Sequence, residues 1–157
     1  MKKMQRFMVT GLLLLAPLGL LAQDYQTGLG LRGGYVSGVT VKHFLDESTA
    51  LEGILSFGRW GFTTTGLYEI HANAFDVERL SWYYGGGAHI GSWNDYYPTL
   101  SERGQYGVIG LDGIVGMEYK IEDIPITLSA DWKPSLNLLG YTGFIGWGGA
   151  FSVRYTF

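Results

Sequence analysis

Metal binding or general-base chemistry in this chain would have to begin at its three histidines, His43, His71 and His89. A helical zinc site sets two ligands at i and i+4, and no two of these are so spaced. His71 and His89 fall on the same side of alternating segments as Glu69, where a hydrogen bond within a polar network is the expected role. Gly28-Leu29-Gly30-Leu31-Arg32-Gly33 matches a dinucleotide fingerprint. That motif needs a helix directly after it, whereas Val39-Thr40-Val41-Lys42 reads as a strand. The glycines are better explained as relief of crowding in a curved strand. No catalytic, cofactor or metal site is therefore assigned.

A larger set of charged residues recurs at every second position. Arg32, Lys42, Lys120, Lys133 and Arg154 share this pattern with Glu52, Glu69, Asp112, Glu118 and Asp131, five cations against five anions. The segments that carry them alternate strictly. In 126–137, Ile126, Leu128, Ala130, Trp132, Pro134 and Leu136 oppose Thr127, Ser129, Asp131, Lys133, Ser135 and Asn137. A helix would scatter both sets around its circumference, so the period of two predicts a strand. The same reading gives eight strands, near 26–35, 39–44, 50–57, 62–74, 80–90, 107–121, 126–137 and 144–157. Pro134 cannot donate to a ladder, which predicts a bulge or a strand end there.

The 157 residues suffice for one domain. Lys2, Lys3 and Arg6 precede an uncharged apolar run from Phe7 to Ala22, shorter than the roughly 20 residues of a membrane-spanning helix. Residues 1–22 are expected to be a cleaved signal peptide and 23–157 the mature domain. With no cysteine, neither an acylated N-terminal anchor nor a disulfide framework is possible. Residues 1–22 hold three of the 11 Lys+Arg and none of the 14 Asp+Glu, so the mature chain carries 8 against 14, a net charge near −6. Nucleic acid is not an expected partner, because phosphate binding rests on clustered cations.

The face opposite the ions is apolar and rich in aromatics, with Leu29, Leu31, Val41, Leu51, Leu55, Phe57, Tyr68, Ile70, Trp82, Tyr84 and Ile90. A soluble sandwich also alternates, but its polar face meets water and its charges need no partners. Ions lining a narrow lumen must be paired. Balanced charge and an aromatic outer face predict an all-β, eight-stranded antiparallel up-and-down transmembrane β-barrel. Leu45–Thr49, Asp76–Arg79 and Glu122–Pro125 are short and each contains two acids. They are expected at the periplasmic end with the termini, leaving Val36–Gly38, Gly58–Gly61, Ser92–Tyr106 and Leu138–Gly143 outside.

Phe157, preceded at alternate positions by Tyr155, Val153 and Phe151, resembles an outer-membrane insertion signal. Together with the leader, the chain resembles small outer-membrane barrels of the OmpA transmembrane-domain and OmpX type, over essentially all of 23–157. The resemblance implies the bacterial outer membrane as location, its lipids and lipopolysaccharide as surroundings, and the insertion machinery as a partner during biogenesis. An eight-stranded lumen is just filled by side chains, so the expected role is structural or surface-interacting, without an open wide pore. Two alternatives are a lipid A-modifying enzyme and a narrow channel. Barrel deacylases carry His and Ser two apart on one strand, whereas here Asn73 follows His71 and Gly91 follows His89. Ser92–Tyr106, rich in Tyr, Ser, Asn, Gly and Pro, is the expected loop for any extracellular ligand.

Overall fold

The computed structural model describes residues 25–58, 61–95, 104–140 and 142–157. The expected signal peptide and its cleavage point lie outside them. The described residues contain strands β1 (Thr27–Gly34), β2 (Ser37–Phe44), β3 (Thr49–Gly58), β4 (Gly61–Asn73) and β5 (Leu80–Asp95). They continue with β6 (Gly104–Lys120), β7 (Ile126–Trp132), β8 (Ser135–Leu139), β9 (Gly143–Ile145) and β10 (Gly149–Thr156). The first six pair antiparallel in chain order, from β1–β2 to β5–β6. β7 and β8 lie end to end along β6 as one stave. β9 and β10 continue along them as the next. β10 returns to β1, pairing Gly28 with Thr156 through to Gly34 with Ala150, and the eight staves close. Closure pairs the staves on both sides, except along the short β9, which among the described residues pairs with β8 alone, so most backbone polar groups find partners within the wall.

Alternation determines which side chains enter. On β2, Thr40, Lys42 and Phe44 are buried while Val39, Val41 and His43 are exposed; on β10, Ser152, Arg154 and Thr156 are buried between exposed neighbours. His43, on the outside near the chain termini, has Nδ1 2.8 Å from Thr27 Oγ1. The glycine-rich stretch after Tyr25 runs along β1 and leads into β2, so no helix follows it.

Two expected strands are interrupted. The stave over 126–139 breaks at Lys133-Pro134, where proline lacks an N–H; the Pro134 carbonyl instead accepts from Gly113 N at 2.9 Å. Alongside it, 143–156 breaks at Gly146–Gly148, and the Gly148 carbonyl accepts from Lys133 N at 3.1 Å. The expected loop Ser92–Tyr106 is also shorter than its composition predicts. Ser92, Trp93, Asn94 and Asp95 pair with Gly107, Tyr106, Gln105 and Gly104 as an extension of the β5–β6 hairpin. Their polar composition is compatible with a strand because the pairing satisfies the backbone. Residues 96–103, with Tyr96, Tyr97 and Pro98 of the loop, lie outside the described residues.

The acids in the three short connections have a local cause. Asp46 Oδ1 accepts from Ser48 N at 2.8 Å, Ser48 Oγ at 3.0 Å and Thr49 N at 2.9 Å. These bonds, the Ser48 amide foremost, hold its carboxyl below the usual carboxylate range. Asp76 and Asp123 sit at φ 55° and 64°, the left-handed region that aspartate tolerates better than most residues. All three connections lie at the end of the barrel that carries Thr27 and Phe157, which exchange backbone hydrogen bonds of 3.0 and 2.9 Å.

Candidate functional site

Side chains from every stave enter the lumen, and its ions form three groups. Nearest the termini, Arg154 spans the barrel. Its Nη2 pairs with Glu52, its Nη1 donates to Glu118 at 3.1 Å and Ser129 at 2.8 Å, and its Nε donates to Thr40 at 3.4 Å. Lys42 Nζ stands 2.8 Å from Glu69, 3.5 Å from Glu118 and 3.7 Å from Glu52. None of its contacts has the angles of a directed hydrogen bond, so Lys42 acts here as a charge among three carboxylates. Tyr25 donates to Glu118 at 2.7 Å from below. The second group is the fork of Arg32 on Asp131. In the third, Asp112 accepts from Lys133 at 2.6 Å and Ser135 at 2.5 Å and faces His89 Nδ1 at 2.8 Å.

Nine of the ten ions picked out by alternation meet inside. Lys120 does not. It ends β6, and its Nζ donates to the carbonyls of Ile124 at 2.7 Å and Ile121 at 3.4 Å. Turn carbonyls have no ladder partner and lie nearer than any acid, so they take the ammonium. The lumen therefore holds four of the cations and all five acids. Phe151, Val153, Tyr155 and Phe157 lie on the exposed outer face of the last stave.

Charge counting does not reveal Tyr83, which links the first two of these groups. It is buried on β5 between the outward Trp82 and Tyr84, so parity alone could have placed it inside. Its hydroxyl donates to Asp131 at 3.0 Å, and Lys42 Nζ lies 3.9 Å from its ring centre. His71 stacks on the ring at 4.9 Å and has Nε2 3.2 Å from Glu69. Ile54, Leu67 and Ile114 pack with Tyr83 as an apolar core inside the polar lumen.

Gly116 makes room for this arrangement. A Cβ there would stand 2.7 Å from Tyr83 Cζ, 2.6 Å from Asp131 Cβ and 2.7 Å from the Ala130 carbonyl. The Gly116→Ala variant should lose about 1–3 kcal/mol of stability through overpacking, read by urea unfolding. An unchanged midpoint would show that Tyr83 moves without cost.

No protein-family model matches the chain, and no curated protein matches it. Among solved structures, the crystal structure of the N-terminal β-barrel domain of Pseudomonas aeruginosa OprF superposes with a TM-score of 0.66 at 13% identity, covering 85% of this chain and all of that one. At that identity the likeness speaks to architecture. The chain has the fold of that domain, a closed eight-stranded antiparallel barrel.

Proposed function

We propose that the mature chain is a small integral outer-membrane protein with a structural or surface-interaction role and no wide pore. The observation that carries this reading is the inverted distribution of polarity. Arg154, Lys42, Glu52 and Glu69 are essentially inaccessible inside, while Leu31, Phe57, Phe62, Trp132, Phe144 and Phe151 cover the outside. An apolar exterior of this extent would aggregate in water and is stable against acyl chains. Its aromatics suit the two interfacial girdles. In this reading the lipids and lipopolysaccharide contact that exterior, and Phe151, Val153, Tyr155 and Phe157 are read by the insertion machinery. The far end of the β5–β6 hairpin is then the surface available to an extracellular partner. Export through the leader 1–22 belongs to the same proposal.

An eight-stranded lumen is just filled by side chains, and the ion groups with Tyr83 block this one. The protein should fractionate with outer membranes and migrate on gels as a compact band that shifts on boiling. In planar bilayers it should give no large conductance steps. Recovery in the soluble fraction without detergent would reject the membrane reading; large stable steps would reject the blocked lumen.

A further inference from the structure

The lumen is not filled throughout. At the end away from the termini lies a cavity of about 400 Å³, within the range of small-molecule sites. Arg32, Thr65, His89, Trp93, Lys133 and Asn137 help line it. Among the described residues, its permanently charged lining residues are both cations, while their partners Asp131 and Asp112 stand behind them and do not line it. Lys133 uses two of its three N–H groups on Asp112 and Ser135. Gly110 lets His89 lie flat against β6, since a Cβ there would stand 2.5 Å from His89 Cε1.

Asn137 points to a ligand. It is 1% exposed, its Oδ1 lies 2.9 Å from His89 Nε2, and its Nδ2 has no partner among the described residues. Leaving a buried donor unpaired is costly. Asp112 is a carboxylate and only accepts, so His89 Nδ1 must carry a hydrogen. A neutral ring then has a lone pair at Nε2, which cannot face the Asn137 oxygen. Two arrangements are self-consistent. With His89 protonated, Nε2 donates to Oδ1 and the Asn137 amide hydrogens are free for a ligand. With His89 neutral, the amide is turned over, Nδ2 donates to Nε2, and the ligand meets an oxygen instead.

We propose that this cavity binds a small oxyanion, a carboxylate, sulfate or phosphate group, and that binding takes up one proton on His89 by way of the Asn137 amide. The anion receives hydrogen bonds from Asn137 Nδ2, the remaining Lys133 N–H and the hydroxyls of the wall. Around His89, β6 contributes Asp112 and Gly110, β4 the neutral Thr65, and β8 Asn137 and Ser135, with Lys133 bound to the far side of Asp112. Asp112 already balances Lys133, so an added proton leaves the site positive and the anion neutralises it. Linkage makes the two events reciprocal, so affinity for the anion rises as pH falls. This goes beyond the structural role above and holds whether or not the lumen conducts.

The test is NMR titration of the folded protein in phosphate-free maltoside micelles with sodium sulfate, against sodium chloride at matched ionic strength. Sulfate keeps its charge between about pH 5.5 and pH 8, the span over which histidines commonly titrate. Saturable shifts are expected at the Asn137 side-chain amide and the His89 ring and not at the other lumen histidine, His71. Affinity should be about tenfold higher at the lower pH. Asn137→Leu and Lys133→Met should abolish or weaken binding. Asn137→Asp, nearly isosteric, should abolish it while the folded gel band persists. A lipid headgroup phosphate has the same chemistry, so bilayer nanodiscs with and without phosphatidylglycerol form a second arm. Shifts there without sulfate would assign the oxyanion to lipid, and shifts with sulfate alone to a free solute. No saturable shift in either arm, shifts reproduced by chloride, or pH-independent affinity would overturn the proposal.

Discussion

Replacing Arg154 with alanine should lower the unfolding free energy of the barrel by about 3–5 kcal/mol, read by urea titration of the protein in lipid vesicles. The size follows from what remains behind. Arg154 is fully buried and contacts Glu52, Glu118, Ser129 and Thr40 from four different staves. Its removal leaves Glu52 and Glu118 in the lumen with Lys42 as their only cation, and Lys42 already faces Glu69. The same group makes an opposite case for Glu69→Gln. Two cations, Lys42 and Arg154, meet three carboxylates there, so one negative charge is in excess. Its removal leaves Lys42 paired with Glu52 and Glu118, and stability should stay within about 1 kcal/mol of the parent. A loss within about 1 kcal/mol in Arg154→Ala as well would mean that the lumen tolerates unpaired charge and that the pairing contributes little.

That asymmetry was not visible in the sequence, although most of the barrel was. The period of two told which side of each strand a residue occupies, because in a closed sheet that parity is also inside against outside. It therefore brought Glu52, Glu118 and Arg154 into one lumen, from strands far apart in the chain. It could not say which cation meets which acid, because that depends on stagger around the whole barrel. Five cations set against five acids concealed the loss of Lys120 to the carbonyls of its own turn. Tyr83 carries no charge, and an aromatic between two outward aromatics is not set apart by its type. Asn137 was assigned to the polar face, but its importance lies in a partner 48 residues away, His89. The breaks at Lys133-Pro134 and Gly146–Gly148 were half legible. Proline announced the first, while the second is the response of the stave beside it.

One residue from Arg154 the sign of a charge substitution should reverse. Val153 points outward, opposite Leu31 on one neighbouring strand and Leu128 on the other. The three side chains are 51%, 68% and 41% exposed, forming an apolar row abreast on the exterior. Along β10 it stands between Phe151 and Tyr155, both more exposed still. If this face met water, Val153→Arg would be an ordinary surface change with an effect within about 0.5 kcal/mol. Against acyl chains the guanidinium loses its hydration, and the expected cost is about 2–4 kcal/mol, greatest near the bilayer centre. Val153→Ile, which keeps the side chain apolar, should have little effect. The same urea titration in vesicles reads both variants, and a repeat in maltoside micelles, where water can reach the headgroup shell more readily, should give a smaller loss for arginine. A Val153→Arg barrel as stable in vesicles as its parent would mean that this row does not face the hydrocarbon, and the membrane reading would fall with it.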